Sequence, residues 1–205
     1  ALYLFVHELG HALHRSLASD AQPAVSEAVP KHVGELPAFC HEALLADHLA
    51  DRWEGRRARH AEAAFLRKLP LVRAVIGARF VREVQNSVAA TPLGPDELAD
   101  RYRTAAAPFI GHLAGDVGWE WQLRDLSRRP FHAYPYAVGV VGALATVRSL
   151  RTGELGSETY RERLALGRSE RPVNLFRPAV DLTDRTTVER GLDAYRNRVE
   201  RLLTG

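Results

Sequence analysis

The chain opens Ala1-Leu2-Tyr3-Leu4-Phe5-Val6-His7-Glu8-Leu9-Gly10-His11-Ala12-Leu13-His14. Residues 1–18 form one amphipathic run at helical spacing, which predicts a helix. The histidines at 7 and 11 then fall on one face of it, so both imidazoles can reach a single ion. Glu8 directly follows the first of them, where a carboxylate can act on a metal-activated water. His14 shares that face but not the ion. Residues seven apart on a helix are separated by about 10.5 Å along its axis, whereas zinc bonds are about 2 Å long. His14 therefore reads as a structural histidine.

A third ligand has to come from further along the chain. Zinc patterns that continue with a glycine and a histidine fail, because position 14 is His14 and position 17 is Leu17. A glutamate at position 31 would suit another known spacing, but that residue is Lys31. Glu35 is the better candidate. It follows a break from Ser19 to Gly34 that contains Pro23 and Pro30, and such a break lets a second helix return beside the first. Glu42 lies on the same face two turns later and can accept a hydrogen bond from the outer nitrogen of a ligand histidine. A carboxylate favoured by the dipole at a helix start explains Glu35 equally well. His32, His41 and His48 stay open as alternative ligands.

The rest of the chain is also helical by periodicity. A run from Glu35 to about Arg67 places Phe39, Leu45 and Leu49 among its apolar positions. Pro70 permits a new start, with Leu71, Val72, Val75, Ile76 and Phe80 at helical spacing. Thr91-Pro92-Leu93-Gly94-Pro95 is a turn, and Pro95-Asp96-Glu97 reads as the next first turn. A loop near Gly115–Gly118 precedes a short segment containing tryptophan. Residues 134–150 form a small-residue apolar helix of the kind that packs centrally. Residues 158–166 and 186–203 predict two more helices, separated by a loop from Gly167 to Thr183 that holds Pro172 and Pro178. The expectation is seven or eight helices in an all-α domain spanning residues 1–205.

Composition narrows the class. Of 205 residues, 46% are hydrophobic and 26% charged, which excludes disordered and collagen-like chains. The longest apolar run, Ala137 to Val147, is too short to cross a bilayer, so no membrane partner is expected. A single cysteine, Cys40, excludes an internal disulfide framework and points to a reducing, cytoplasmic setting. Cys40 reads as a small buried hydrophobe rather than a nucleophile. The formal net charge is +3 and arginines are spread among acids, densest from Arg52 to Arg59. That cluster reads as a solvated helix face, so no nucleic-acid partner is expected. The absence of methionine and the start inside an apolar run suggest a fragment or mature piece of a longer chain.

His7-Glu-Leu-Gly-His-Ala-Leu-His14, followed by Glu35-Leu-Pro-Ala-Phe-Cys-His-Glu42-Ala-Leu-Leu-Ala-Asp47, resembles the oligoendopeptidase F branch of the thimet-oligopeptidase-like zinc peptidases. Trp121, Tyr134-Pro-Tyr136-Ala-Val-Gly139, Leu166-Gly-Arg-Ser169 through Pro172, and Val180-Asp-Leu-Thr183 continue the resemblance in order. It implies an all-α, multi-helix zincin-type catalytic domain fragment with the HExxH helix at its N-terminus. It implies one zinc ion held by His7, His11 and Glu35, Glu8 as general base and Glu42 behind the ligands. Tyr136, or else Tyr134, would stabilise the oxyanion, and His132 and Tyr134 would contact substrate. Short peptides are the implied substrates. The chain departs from the family at Leu126, where a gapless reading expects a histidine five residues after Trp121. His132 takes that place only with a shifted loop, and Ala133 and Pro135 thin out the tyrosine stretch. Residues 79–88 also lack the polar, acidic pattern of the family.

Overall fold

The computed structural model describes residues 2–27, 31–88, 92–123, 132–171, 174–177 and 180–204. Leu126, Pro172 and Pro178 lie outside the described residues, as does the side chain of His32. The described backbone is all-α, without a strand. Its helices are α1 (Leu2–Ala21), α2 (Ala24–Glu27), α3 (Lys31–Arg52), α4 (Gly55–Lys68), α5 (Leu71–Val88), α6 (Pro95–Ile110), α7 (Glu120–Leu123), α8 (Tyr134–Thr152), α9 (Ser157–Ala165) and α10 (Arg185–Thr204).

Among the described residues ten α-helices stand where seven or eight helices were expected, for identifiable reasons. α2 and α7 are single turns of four residues each. The run expected from Glu35 to Arg67 is two helices, because the chain leaves the helical path at Trp53-Glu54 and restarts at Gly55. Gly55 has φ +55°, which a side chain would disfavour. The break after α1 is also narrower than Ser19–Gly34. Helix α1 runs on to Ala21, ahead of Pro23, and α3 begins at Lys31, so Glu35 lies more than a turn inside it.

The residues group into two compact units, and residues 1–205 were expected as one domain. The first unit comprises Ala1–Leu69 and Val138–Gly205. In it α1 packs chiefly on α3 and α9, α3 on α4, and α4 on α10. Every residue of α8 from Gly139 to Val147 is buried, as suits a helix that is apolar all round. Its glycines admit close neighbours: a Cβ on Gly142 would stand 2.6 Å from Leu36 Cδ1. Arg198 of α10 is buried and donates to both oxygens of Glu62, at 3.0 and 3.1 Å, and to Asp47 at 2.5 Å. Its guanidinium also lies over the Phe65 ring, 5.0 Å from the centroid. One side chain thus clamps α10 to α3 and α4.

The second unit, Pro70–Ala137, has its own core. Ile76, Phe80 and Val81 of α5 pack with Tyr102, Ala105 and Ala106 of α6. Phe80 meets Tyr102 edge-on at 5.4 Å between centroids. Pro95 starts α6 with Asp96 and Glu97 in its first turn, where acids suit the helix dipole.

Candidate metal centre

The stripe that α1 buries is Tyr3, His7, Gly10, His14 and Ala18, a helical spacing of four, three, four and four. It is neither large nor uniformly apolar, and that lets α1 approach α3 closely. A Cβ on Gly10 would stand 2.8 Å from the Ala38 Cα, so the crossing requires glycine there. Helix α8 comes as close to α3, since a Cβ on Gly139 would stand 2.9 Å from Glu35 Cβ. These two contacts fix the height of α3 against the histidines.

The crossing brings His7, His11 and Glu35 together. Glu35 Oε2 is 3.4 Å from His7 Nε2 and 4.0 Å from His11 Nε2. One ligand-type atom from each residue lies within 4.8 Å of the others, and among the described residues no other such group occurs. Ligands on a tetrahedral ion with bonds of about 2 Å stand roughly 3.3 Å apart, so small rotations suffice to share one. Glu35 Oε2 is buried and makes no hydrogen bond. A buried carboxylate oxygen that faces two imidazole nitrogens and makes no hydrogen bond has acceptor capacity left for a cation. The donor set of two imidazoles and a carboxylate therefore fits a divalent metal ion.

Behind His7 stands Glu42, which is fully buried. His7 donates its Nδ1 proton to Glu42 Oε1 at 2.6 Å, which turns Nε2 toward Glu35. Lys68 of α4 donates to the same oxygen at 2.5 Å. Burial works against protonating His7, but the Glu35 and Glu42 carboxylates outweigh it and raise its pKa to about 9. Burial, and then the nearby His7, push His11 down. The pocket thus attracts one positive charge and resists a second proton.

The remaining sequence candidates separate clearly. Glu8 is exposed beside His7 and near enough to influence the charge of His11. His14 is buried with its Nε2 unpartnered, pushed down to about 4 by burial and by His11. His41 donates Nδ1 to the Pro37 carbonyl at 2.7 Å, and His48 is exposed. Neither belongs to the group. His132 and Tyr136 belong to the second unit, with ring centroids 5.4 Å apart, and Tyr134 of that unit is exposed. Cys40 is fully buried and burial pushes its thiol up to about 12, so it is no nucleophile. Sequence reasoning did not single out Lys68, Gly10 or Gly139. Lys68 had one usable signal: it and Lys31 are the two lysines in an arginine-rich chain.

The model of "Peptidase family M3" matches residues 1–195. Oligopeptidase PepF of Bacillus subtilis is 24% identical over 98% of this chain and 31% of its own length. An oligoendopeptidase F homolog of Lactococcus lactis is 23% identical over 98% of this chain and 35% of its own. Two solved structures share the fold. A Chlamydophila abortus protein described as a peptidase superposes with a TM-score of 0.84 at 19% identity, covering 98% of this chain and 35% of that one. Oligoendopeptidase-F of Enterococcus faecium superposes with a TM-score of 0.79 at 22% identity, covering 98% and 38%. The chain spans about a third of the length of the relatives it matches. A buried stripe of histidines, a glutamate returned to it by the next long helix, and a family match over nearly every residue agree: this chain belongs to peptidase family M3.

Proposed function

We propose that this chain is the catalytic portion of a zinc-dependent oligopeptidase that cleaves short peptides in the cytoplasm, with residues 1–205 acting as one metallopeptidase domain. The convergence of His7, His11 and Glu35 around an unpartnered buried carboxylate oxygen carries the reading. Those three residues would hold one zinc ion. When bound, zinc supplies Lewis-acid polarisation of a peptide carbonyl and acidifies a water toward neutrality. Glu8 takes that water's proton and passes it to the leaving amine. Glu42 holds His7 in one tautomer through Nδ1. Tyr136, or in its place Tyr134, donates to the carbonyl oxygen as it gains charge, a contribution of about 2.7–4 kcal/mol. His132 and Tyr134 contact the peptide. The names of the relatives support peptides as the substrate class.

The test is Glu8→Gln in the full-length protein, assayed on quenched fluorescent peptides with zinc content measured in parallel. Cleavage should fall roughly 10²–10⁴-fold while zinc is retained. Turnover close to that of the unaltered protein would refute the base assignment. If the unaltered protein binds zinc and cleaves nothing, the chain is a peptide-holding relative without turnover.

A further inference from the structure

We infer that Lys68 is a positioning residue of the metal centre, acting through Glu42 on His7. This rests on the metal reading above. Glu42 Oε1 accepts from His7 Nδ1 at 2.6 Å and from Lys68 Nζ at 2.5 Å, while Glu42 Oε2 is buried without a partner. A carboxylate withdrawn from water needs a nearby cation or it is strongly destabilising. A histidine that ligates a metal is neutral, because its ligand nitrogen must carry no proton. With an ion present, His7 therefore supplies Glu42 with a hydrogen bond but no charge. Among the described residues, Lys68 is then the one cation paired with Glu42.

The placement suits that role. Lys68 is in the last turn of α4, where a cation complements the helix dipole. Its stem spans from α4 to α3 and delivers a compact ammonium to a single oxygen. Both donors converge on Oε1, so the carboxylate is pinned at one end only. Without Lys68, Glu42 is free to turn its Oε2 toward His7, and the imidazole loses its fixed tilt. Helix α4 thereby contributes to a metal site whose ligands all come from α1 and α3.

The experiment uses the full-length protein with Zn²⁺ in competition with a chromophoric chelator, alongside circular dichroism of the metal-free forms. Lys68→Met should raise the Zn²⁺ Kd about 10–100-fold, the range for residues that orient ligands from behind. Glu42→Gln should do the same, and Lys68→Met combined with Glu42→Gln should be no worse than Glu42→Gln alone. Lys68→Arg should recover most of the affinity. If Lys68→Met does not fold, Lys68→Gln takes its place in the same comparison. A Zn²⁺ Kd unchanged by loss of the ammonium overturns the inference, as do additive losses in the double variant or a failure of Lys68→Arg to recover binding. A wild-type protein that binds no Zn²⁺ overturns the metal reading itself. A wild type that binds it beside an indifferent Lys68→Met overturns only the role of Lys68.

Discussion

Two buried ionic clusters occupy the first unit, and they are finished to different degrees. At Arg198 the pairing is complete: both oxygens of Glu62 accept, Asp47 accepts, and the Phe65 ring covers the guanidinium. At His7 it is not: Glu35 Oε2 and Glu42 Oε2 are buried and unpartnered. Both clusters bear the cost of removing charge from water, which pairing alone need not recover. A saturated cluster can only hold helices together. An unsaturated one keeps valence for something that arrives later.

Removing one member from each cluster should separate the two roles. Arg198→Ala leaves Glu62 with the longer contact to Arg201, at 3.8 Å, and Asp47 with Arg151, at 3.4 Å; it should cost up to about 3–5 kcal/mol in urea unfolding, with zinc affinity in the surviving fold unchanged. Glu35→Gln should cost the metal-free protein less than Arg198→Ala does, since Glu35 Oε2 makes no hydrogen bond to lose. Its zinc affinity should nonetheless collapse. Equal effects of both variants on both readouts would abolish the distinction.

Two glycines sharpen the contrast at smaller amplitude. A Cβ at Gly191 would stand 2.3 Å from the Val141 carbonyl oxygen, and one at Gly139 would stand 2.9 Å from Glu35 Cβ. Alanine at either position should destabilise by about 1–3 kcal/mol through overpacking. Only Gly139→Ala should also weaken zinc binding, because the atom it displaces belongs to Glu35. Comparable zinc affinities in the two variants would show that Glu35 is not placed by α8.

A pH dependence beside the saturated cluster completes the comparison. Tyr3 donates to the Ala61 carbonyl at 3.0 Å; burial first, then the Glu62 charge, raise its pKa from 10.0 to about 12. A folded pKa above the unfolded one gives stability that is complete below pH 10 and lost as pH rises through 12. Unfolding free energies measured between pH 9 and 12 should fall more shallowly in Tyr3→Phe than in the unaltered protein. Identical slopes would show that Tyr3 does not titrate on unfolding.

Much of the helical architecture was legible because helical periodicity survives without tertiary context. The run at 134–150 became α8 (Tyr134–Thr152), and the one at 186–203 became α10 (Arg185–Thr204). The orientation of α1 was less accessible. Its apolar residues Leu4, Phe5 and Leu9 are exposed, while His7, Gly10 and His14 are buried. Hydrophobicity ranks those faces the other way, and only the partner helix reverses the ranking. The end of α3 was missed for a similar reason: a turn at Trp53-Glu54 depends on the positive φ of Gly55, and periodicity does not register it.

By itself, the order of residues determined that helices would form and that His7 and His11 would share one face, because both follow from a 3.6-residue repeat. It preferred Glu35 as third ligand but left that role balanced against a helix-start carboxylate, with His32, His41 and His48 open as alternatives, since spacing along a chain sets no distance once a turn intervenes. The tertiary structure decided which side chains meet. Gly10 lets α1 and α3 touch, Glu35 comes within 3.4 Å of His7, and Lys68 reaches Glu42 from α4. Those contacts depend on how closely backbones can approach, a property of pairs of helices that no single helix encodes.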